Sequence, residues 1–461
     1  MLVSVAHREL AYLLTKHYFN ETVAKVIMNL FKYDQASMGL LRMIDPSLKV
    51  NDLKKALIIL IKYQLVDYNR TIKSCDYIVP LERLFAFFRL PKFLHAVALA
   101  DGEPTSRILR IVAERGTIGR EALVNLSSKG YKETKQEITD IMNSLSARNY
   151  IAIMKENVYL RIERFDRDHR DDLITDAIMN FYNKEAKVRS ICEAILTLSM
   201  DITGDDAPIT APIDLTSLHN ALKREEFQNK ANLELYLSKL TTEFNYKFFI
   251  ASGNHPQRGP MFALNVGAVI DHLLKEHVCS VITTKFGPKC CRLFRILLQK
   301  GPLLLKQIEE IIMLPARDVR EYSYMLNKEN FIRNRQVPKT PDNAPGKSVF
   351  ILSVEMDPIV YKIADLCCRS MVNLLTRYDF EIERNEPLLS RSRAVQDLLG
   401  VKEVTEEWNE YFNSHEMVEL NAVNRNLDRL LLARNQVDET MFLCHIWLTM
   451  RKNMQKSMTE I

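Results

Sequence analysis

The cations that could meet phosphate are concentrated late in the chain. From Lys285 to Lys347 there are thirteen Lys and Arg against six Asp and Glu, a local balance of +7. Arg333, Arg335, Lys339 and Lys347 stand beside or within a turn rich in Pro, Asn and Gly, where an apolar core makes no use of them. Charges so placed suit salt-dependent, sequence-tolerant contact with nucleic-acid phosphates. A smaller set, Lys54, Lys55 and Lys62, lies on a helical stretch near the start, with Arg70 and Lys73 just beyond it. A solvated helix face accounts for the smaller set, and a protein-facing surface for the later one, as simply as nucleic acid does.

Residues for bond-making chemistry are not arranged to perform it. The chain has no glycine-rich phosphate loop, no H-E-x-x-H and no G-x-S-x-G. Its 13 glycines are too few for a nucleotide-binding α/β fold. The eight cysteines include no C-x-x-C pair, and adjacent ones such as Cys290-Cys291 point different ways from a helix. Buried thiols in a reducing compartment are expected, with no metal and no cofactor. His169, beside Asp168 and Asp171, is explained by a solvated charge run from Arg161 to Asp172. His272 and His277, five apart, do not share a helix face. No catalytic residue is assigned, and the chain is not expected to be an enzyme.

At 461 residues with 47% hydrophobic content, the chain is globular and too long for one core. No stretch approaches a membrane-spanning length of apolar sequence. The opening MLVSVAHRELAYLL has no basic start and contains Arg8 and Glu9, so no signal peptide is expected. A net charge of +5 is slight for this length.

The elements that must position the late cations follow a recognisable order. Leu293, Phe294, Leu297 and Leu298 form an apolar face at helical spacing, with Leu297 expected in the core. Gly301-Pro302 ends that helix, and Leu305 to Ile312 makes a second. Pro315 opens a third, with Val319, Tyr322, Met325 and Leu326 inward. Phe331 to Val337 and Ser348 to Val354 read as paired strands, with Phe350 expected to face the core. Three helices and a hairpin make a winged helix, a common nucleic-acid reader. The same order recurs three times earlier. Each third helix ends in polar residues and then a strand, as in Arg148-Asn149-Tyr150-Ile151 and Lys328-Glu329-Asn330-Phe331. A helix from Leu81 stopping before Pro91 is expected to link the first two.

The expected fold is mainly α with small β-wings: four tandem winged helices and a C-terminal coiled coil. The boundaries are 1–90, 91–165, 166–268, 269–356 and 357–461. The last part carries coiled-coil spacing in broken pieces. Val360, Ile363, Trp408, Tyr411, Leu427 and Leu430 are its candidate partner-binding residues. Asp379 to Glu419 holds eleven acidic residues against four basic, which suits a protein partner better than nucleic acid.

This order of parts resembles the third C-class subunit of DNA-directed RNA polymerase III. KFGPKCCRLFRILLQKG looks like that family's opening of the fourth winged helix, and VPKTPDNAPGKSVFILSV like its wing. QVDETMFLCHIWL, Gln436 to Leu448, resembles its terminal helix. The long charged insertion that some members carry between the second and third winged helices is nearly absent. The resemblance implies a non-catalytic nuclear subunit acting in transcription initiation. It also implies a heterotrimer with two other subunits on the polymerase clamp, and a role in promoter opening with affinity for single-stranded DNA. A free-standing winged-helix DNA-binding regulator and a purely protein-binding winged-helix scaffold are the alternatives.

Overall fold

The computed structural model describes residues 4–459 except 34, 71–74, 130–133, 205, 223–226, 228, 243–246, 256–258, 339–347, 400–407 and 409–410. The chain divides into two compact units, Met1–Leu173 and Ile174–Ile461.

The first unit begins with α1 (Val5–Tyr18), α2 (Glu21–Leu30), β1 (Ala36–Ser37), α3 (Met38–Ile44), α4 (Val50–Lys62), β2 (Asp67–Arg70) and β3 (Cys75–Ile78). The long α5 (Leu81–Asp101) leads to α6 (Glu103–Arg115), β4 (Thr117–Gly119), α7 (Arg120–Ser128), α8 (Lys135–Ala147), β5 (Ile151–Met154) and β6 (Asn157–Leu160). Helix α9 (Ile162–Phe181) includes the division at Leu173. The second unit continues with α10 (Ala186–Ser199), β7 (Ile213–Asp214), α11 (Leu215–Ala221), α12 (Lys230–Thr242), β8 (Phe249–His255) and β9 (Gly259–Leu264). Then come α13 (Val266–Phe286), α14 (Pro288–Lys300), β10 (Leu303–Leu304), α15 (Leu305–Ile312), α16 (Ala316–Lys328), β11 (Arg333–Pro338) and β12 (Ser348–Ser353). Helices α17 (Met356–Arg384), α18 (Glu386–Leu399) and α19 (Ser414–Thr459) close the chain.

The fold is therefore mainly α with small β-wings. The four sheets share one topology: β1-β3-β2, β4-β6-β5, β7-β9-β8 and β10-β12-β11, every pairing antiparallel. The sequence predicts only the two hairpin strands of each wing. The third strand is two or three residues long, too short for alternation to show. The expected boundaries at 90/91, 165/166, 268/269 and 356/357 fall inside α5, α9, α13 and α17.

The polar residues that end three of the four third helices have a backbone cause; Asn245 and Tyr246, after α12, lie outside the described residues. Gln64, Asn149 and Asn330 all take positive φ, at 58°, 63° and 55°. In each case the next amide reaches back five residues: Leu65 to the Leu60 carbonyl, Tyr150 to Leu145, and Phe331 to Leu326, at 2.9–3.0 Å. This is the left-handed cap that satisfies the last helical carbonyls and turns the chain into the wing. Asn tolerates that conformation better than a branched residue would.

Two expectations fail in the first unit. The linking helix does not stop at Pro91 but runs through it to Asp101. A proline inside a helix costs ~3 kcal/mol. Burying one large apolar side chain returns about 1.5–3 kcal/mol, and Phe93 and Leu94 beyond the proline are both buried. Phe93 also stacks on Phe165 with ring centres 5.7 Å apart. The charge run from Arg161 to Asp172 is likewise not a solvated strip. It lies in α9 with Phe165, His169 and Arg170 buried. The His169 ring stands 5.8 Å from that of Phe93. Tyr150 donates to Asp168 at 2.8 Å, and Arg164 pairs with the same carboxylate. Burial raises the Asp168 carboxyl above its ordinary value and pushes the Tyr150 hydroxyl up to about 12. Part of the mixed charge thus satisfies buried polar groups, the Tyr150 hydroxyl by Asp168 and Asp168 in turn by Arg164.

In the second unit α19 packs on both α17 and α13. Arg451 pairs with Asp357 and Cys368 meets Met441, so α17 and α19 run antiparallel. Trp447 meets Asp271 and His277 meets Thr440, so α13 and α19 do too. Met441 to His445 are buried without a break, as a helix enclosed on several sides requires. All eight cysteines are free; Cys75 is half-buried and the others are buried.

Candidate nucleic-acid interface

The wing of the fourth winged helix is the ribbon β11–β12. Its register pairs Arg333 with Ser353, Arg335 with Ile351, and Gln336 with Phe350. Side chains alternate along a strand. Arg333 and Arg335 therefore share one face with Ile351, while Asn334 and Gln336 share the other with Phe350 and Leu352. Both arginines are largely exposed, and both pair with Glu355, Arg333 at 2.8 Å. The expected pair of free cations is thus held by one carboxylate, which a phosphate would have to displace. Lys339 and Lys347 lie outside the described residues.

Phe350 corrects the expectation of a core residue: it is 43% exposed. The alternation is right, since Leu352 on the same face is buried. The ribbon extends past the domain core, and there the same face meets solvent. Tyr324, on the third helix α16, is exposed as well. The site therefore offers aromatic surface, on which unpaired bases stack, in addition to cations. Sequence reasoning missed Phe350, Tyr324 and Glu355. The alternation sets Phe350 on the core face with Leu352, and no signal in the sequence gives the length by which the ribbon overhangs.

The base of this wing is held by charged hydrogen bonds. Glu329, at the end of α16, accepts from Lys362 at 2.9 Å and from Lys285 at 3.0 Å. These two lysines hold its carboxyl down at about 2. Lys362 also bonds the Glu329 carbonyl and lies 4.6 Å from the centre of the Phe331 ring. One lysine of α17 thus fixes the helix end from which the wing departs.

In the first unit Lys54, Lys55 and Lys62 are all exposed on α4, with Ile58 exposed between them. Arg70 and Tyr68 are exposed on β2. Lys73 lies outside the described residues. The two basic sets belong to different units.

The candidate partner-binding residues divide. Val360 and Ile363 are buried on α17, and Trp408 is buried in a small cluster with Phe412, Leu389 and Leu420. These three hold the chain's own helices together and present nothing to a partner, because α19 and the Trp408 cluster already cover the stripe. Leu427 and Leu430 are half-buried and Tyr411 is exposed, so these remain available. Among the described residues, no three His, Cys, Asp or Glu side chains converge to hold a metal ion, and no helix is long and apolar enough to cross a membrane.

Comparison with known proteins points to one family. The model of the POLR3C C-terminal winged-helix domain matches residues 278–354. That span runs from within α13 to just past β12. The mouse protein named DNA-directed RNA polymerase III subunit RPC3 is 30% identical over 296 residues, 63% of this chain and 55% of that protein. Its human counterpart is 29% identical over 294 residues, 62% of this chain and 54% of that protein. A Dictyostelium discoideum protein of the same name is 25% identical over 173 residues, 37% of this chain and 25% of that protein. The matched region spans about half the length of the mammalian relatives.

Proposed function

We propose that this chain, related to the RPC3 subunits of RNA polymerase III, works as a non-catalytic nuclear subunit of that enzyme. In this reading it joins the two other members of an initiation heterotrimer on the polymerase clamp and helps open promoter DNA. The observation that carries the reading is a coincidence of position. The family match at 278–354 covers the same winged helix that holds Arg333, Arg335 and Phe350.

The chemistry of that wing suits melted DNA. Arginines give salt-dependent attraction to phosphate without reading sequence. An exposed aromatic adds stacking that only an unpaired base can accept. Recognition of a duplex sequence would call for base-reading side chains along the third helix. Helix α16 exposes Arg317 and Arg320, and Arg320, like the two wing arginines, lies near a carboxylate, Glu309 at 3.8 Å; what favours melted DNA is the exposed ring of Phe350.

The test is purification of the tagged chain from its own cells, with identification of what accompanies it. The reading expects the full set of polymerase III subunits in near-equal amounts. Recovery with other proteins and without polymerase would refute it.

A further inference from the structure

Helix α14 carries Lys289, Arg292, Arg295 and Lys300 and no acidic residue. Its buried residues are Cys290, Cys291, Leu293, Phe294 and Leu297. Its outer face and Thr283 of α13 enclose a groove of about 440 Å³. Half-buried Ile296 and buried Cys291 form the apolar part of the lining, and exposed Pro288, Arg292, Arg295 and Gln299 form the rim. Arg295 is tied to Glu276 at 2.8 Å. Arg292 is exposed and makes no ion pair among the described residues. The groove thus couples an apolar lining to a rim with excess positive charge.

We propose that this groove docks an acidic, amphipathic segment of a protein partner. Carboxylates would pair with the guanidinium forks of Arg292 and Arg295, a geometry in which arginine excels. A bulky apolar side chain would cover Cys291 and Ile296. The apolar lining is what favours protein over nucleic acid. A phosphate backbone gains from the rim but nothing from the lining, whereas an amphipathic segment gains from both. This surface is separate from the wing ribbon, and the proposal does not depend on the wing's contact with DNA.

The test uses the full chain and a fluorescein-labelled peptide of about twelve residues, Glu and Asp surrounding one Phe and one Leu, read by anisotropy. Saturable binding is expected. Arg292→Glu should weaken it by about tenfold or more, as loss and reversal of an interfacial charge does. Replacing the peptide's Phe and Leu with Ser should weaken it severalfold. Gln299→Trp, which fills the groove without changing its charge, should also weaken it. Both protein variants alter exposed positions, and each should melt as the wild type does. An oligothymidine of equal length should displace the peptide poorly. The proposal is overturned if the peptide does not bind, if Arg292→Glu and Gln299→Trp both leave binding unchanged, if the Ser-substituted peptide binds equally, or if oligothymidine competes as well as unlabelled peptide.

Discussion

The Trp447 indole N–H donates to Asp271 Oδ1 at 3.1 Å, across 176 residues of sequence. With His277 and Thr440 at 3.1 Å, it fastens the C-terminal helix to the helix that leads into the fourth winged helix. The C-terminal region is therefore part of that domain's support as well as a coiled coil. Trp447→Phe keeps most of the apolar body and removes the donor. A hydrogen bond to a charged group contributes about 1.5–3 kcal/mol, so the variant should melt earlier by that measure. An unchanged melt would show that the Trp447–Asp271 bond adds nothing to the packing of the two helices.

Leu297 sits in the core of the fourth winged helix, 1% exposed. Leu297→Ala should cost roughly 2–5 kcal/mol, from lost transfer energy and the cavity left behind. Chemical denaturation of the full chain, followed through a probe in the second unit, measures it. A loss well under 1 kcal/mol would mean that neighbouring helices close the gap.

Leu297 was legible in advance because helical spacing alone sets it inward, and the repeated helix–cap–strand order exposed all four wings. The caps at Gln64, Asn149 and Asn330 show why: a local backbone need leaves a local residue signature. What escaped depends on distant packing. Helix α5 passes through Pro91 because Phe93 and Leu94 just beyond it are buried, Phe93 against Phe165 of α9. MFLCHIWL reads as too apolar for one stripe, yet only the structure shows that α13 and α17 both flank it. At the candidate site the cations were visible in composition. Their pairing with Glu355 and the overhang of Phe350 were not, since both arise from three-dimensional reach.

Gly116 closes α6 at φ 72°, and an added Cβ would stand 2.9 Å from the Lys62 carbonyl. The same carbonyl accepts from Thr117 Oγ1 at 3.1 Å, so the end of α4 cannot retreat without losing that bond. Gly116→Ala should therefore destabilise by more than the ~1 kcal/mol usual for forcing a side chain into positive φ. Thermal unfolding of the first unit is the readout, and a neutral result would mean that α4 shifts freely.

Glu329 gives the chain a pH signature. Its folded carboxyl titrates at about 2 against an ordinary value of 4.5, held down by Lys362 and Lys285. A depressed carboxyl stabilises the fold above its unfolded value and loses that contribution as pH falls through 4.5 toward about 2. Glu329→Gln should lower the melting temperature at neutral pH, and the gap to wild type should close across that acid window. A gap independent of pH would assign the loss to packing rather than to the two lysines.

The central claim is that the fourth wing acts on melted promoter DNA within polymerase III. The direct measurement is permanganate reactivity of unpaired thymines in open complexes. Polymerase isolated through the tagged wild-type chain is compared with polymerase carrying Arg333→Ala, Arg335→Ala and Phe350→Ala together. None of the three side chains is buried, so subunit composition should be unchanged. Loss of phosphate attraction and of stacking, the latter ~1–3 kcal/mol per base, should reduce the open fraction and lessen its sensitivity to salt. Equal reactivity and equal salt dependence in the two enzymes would contradict the claim.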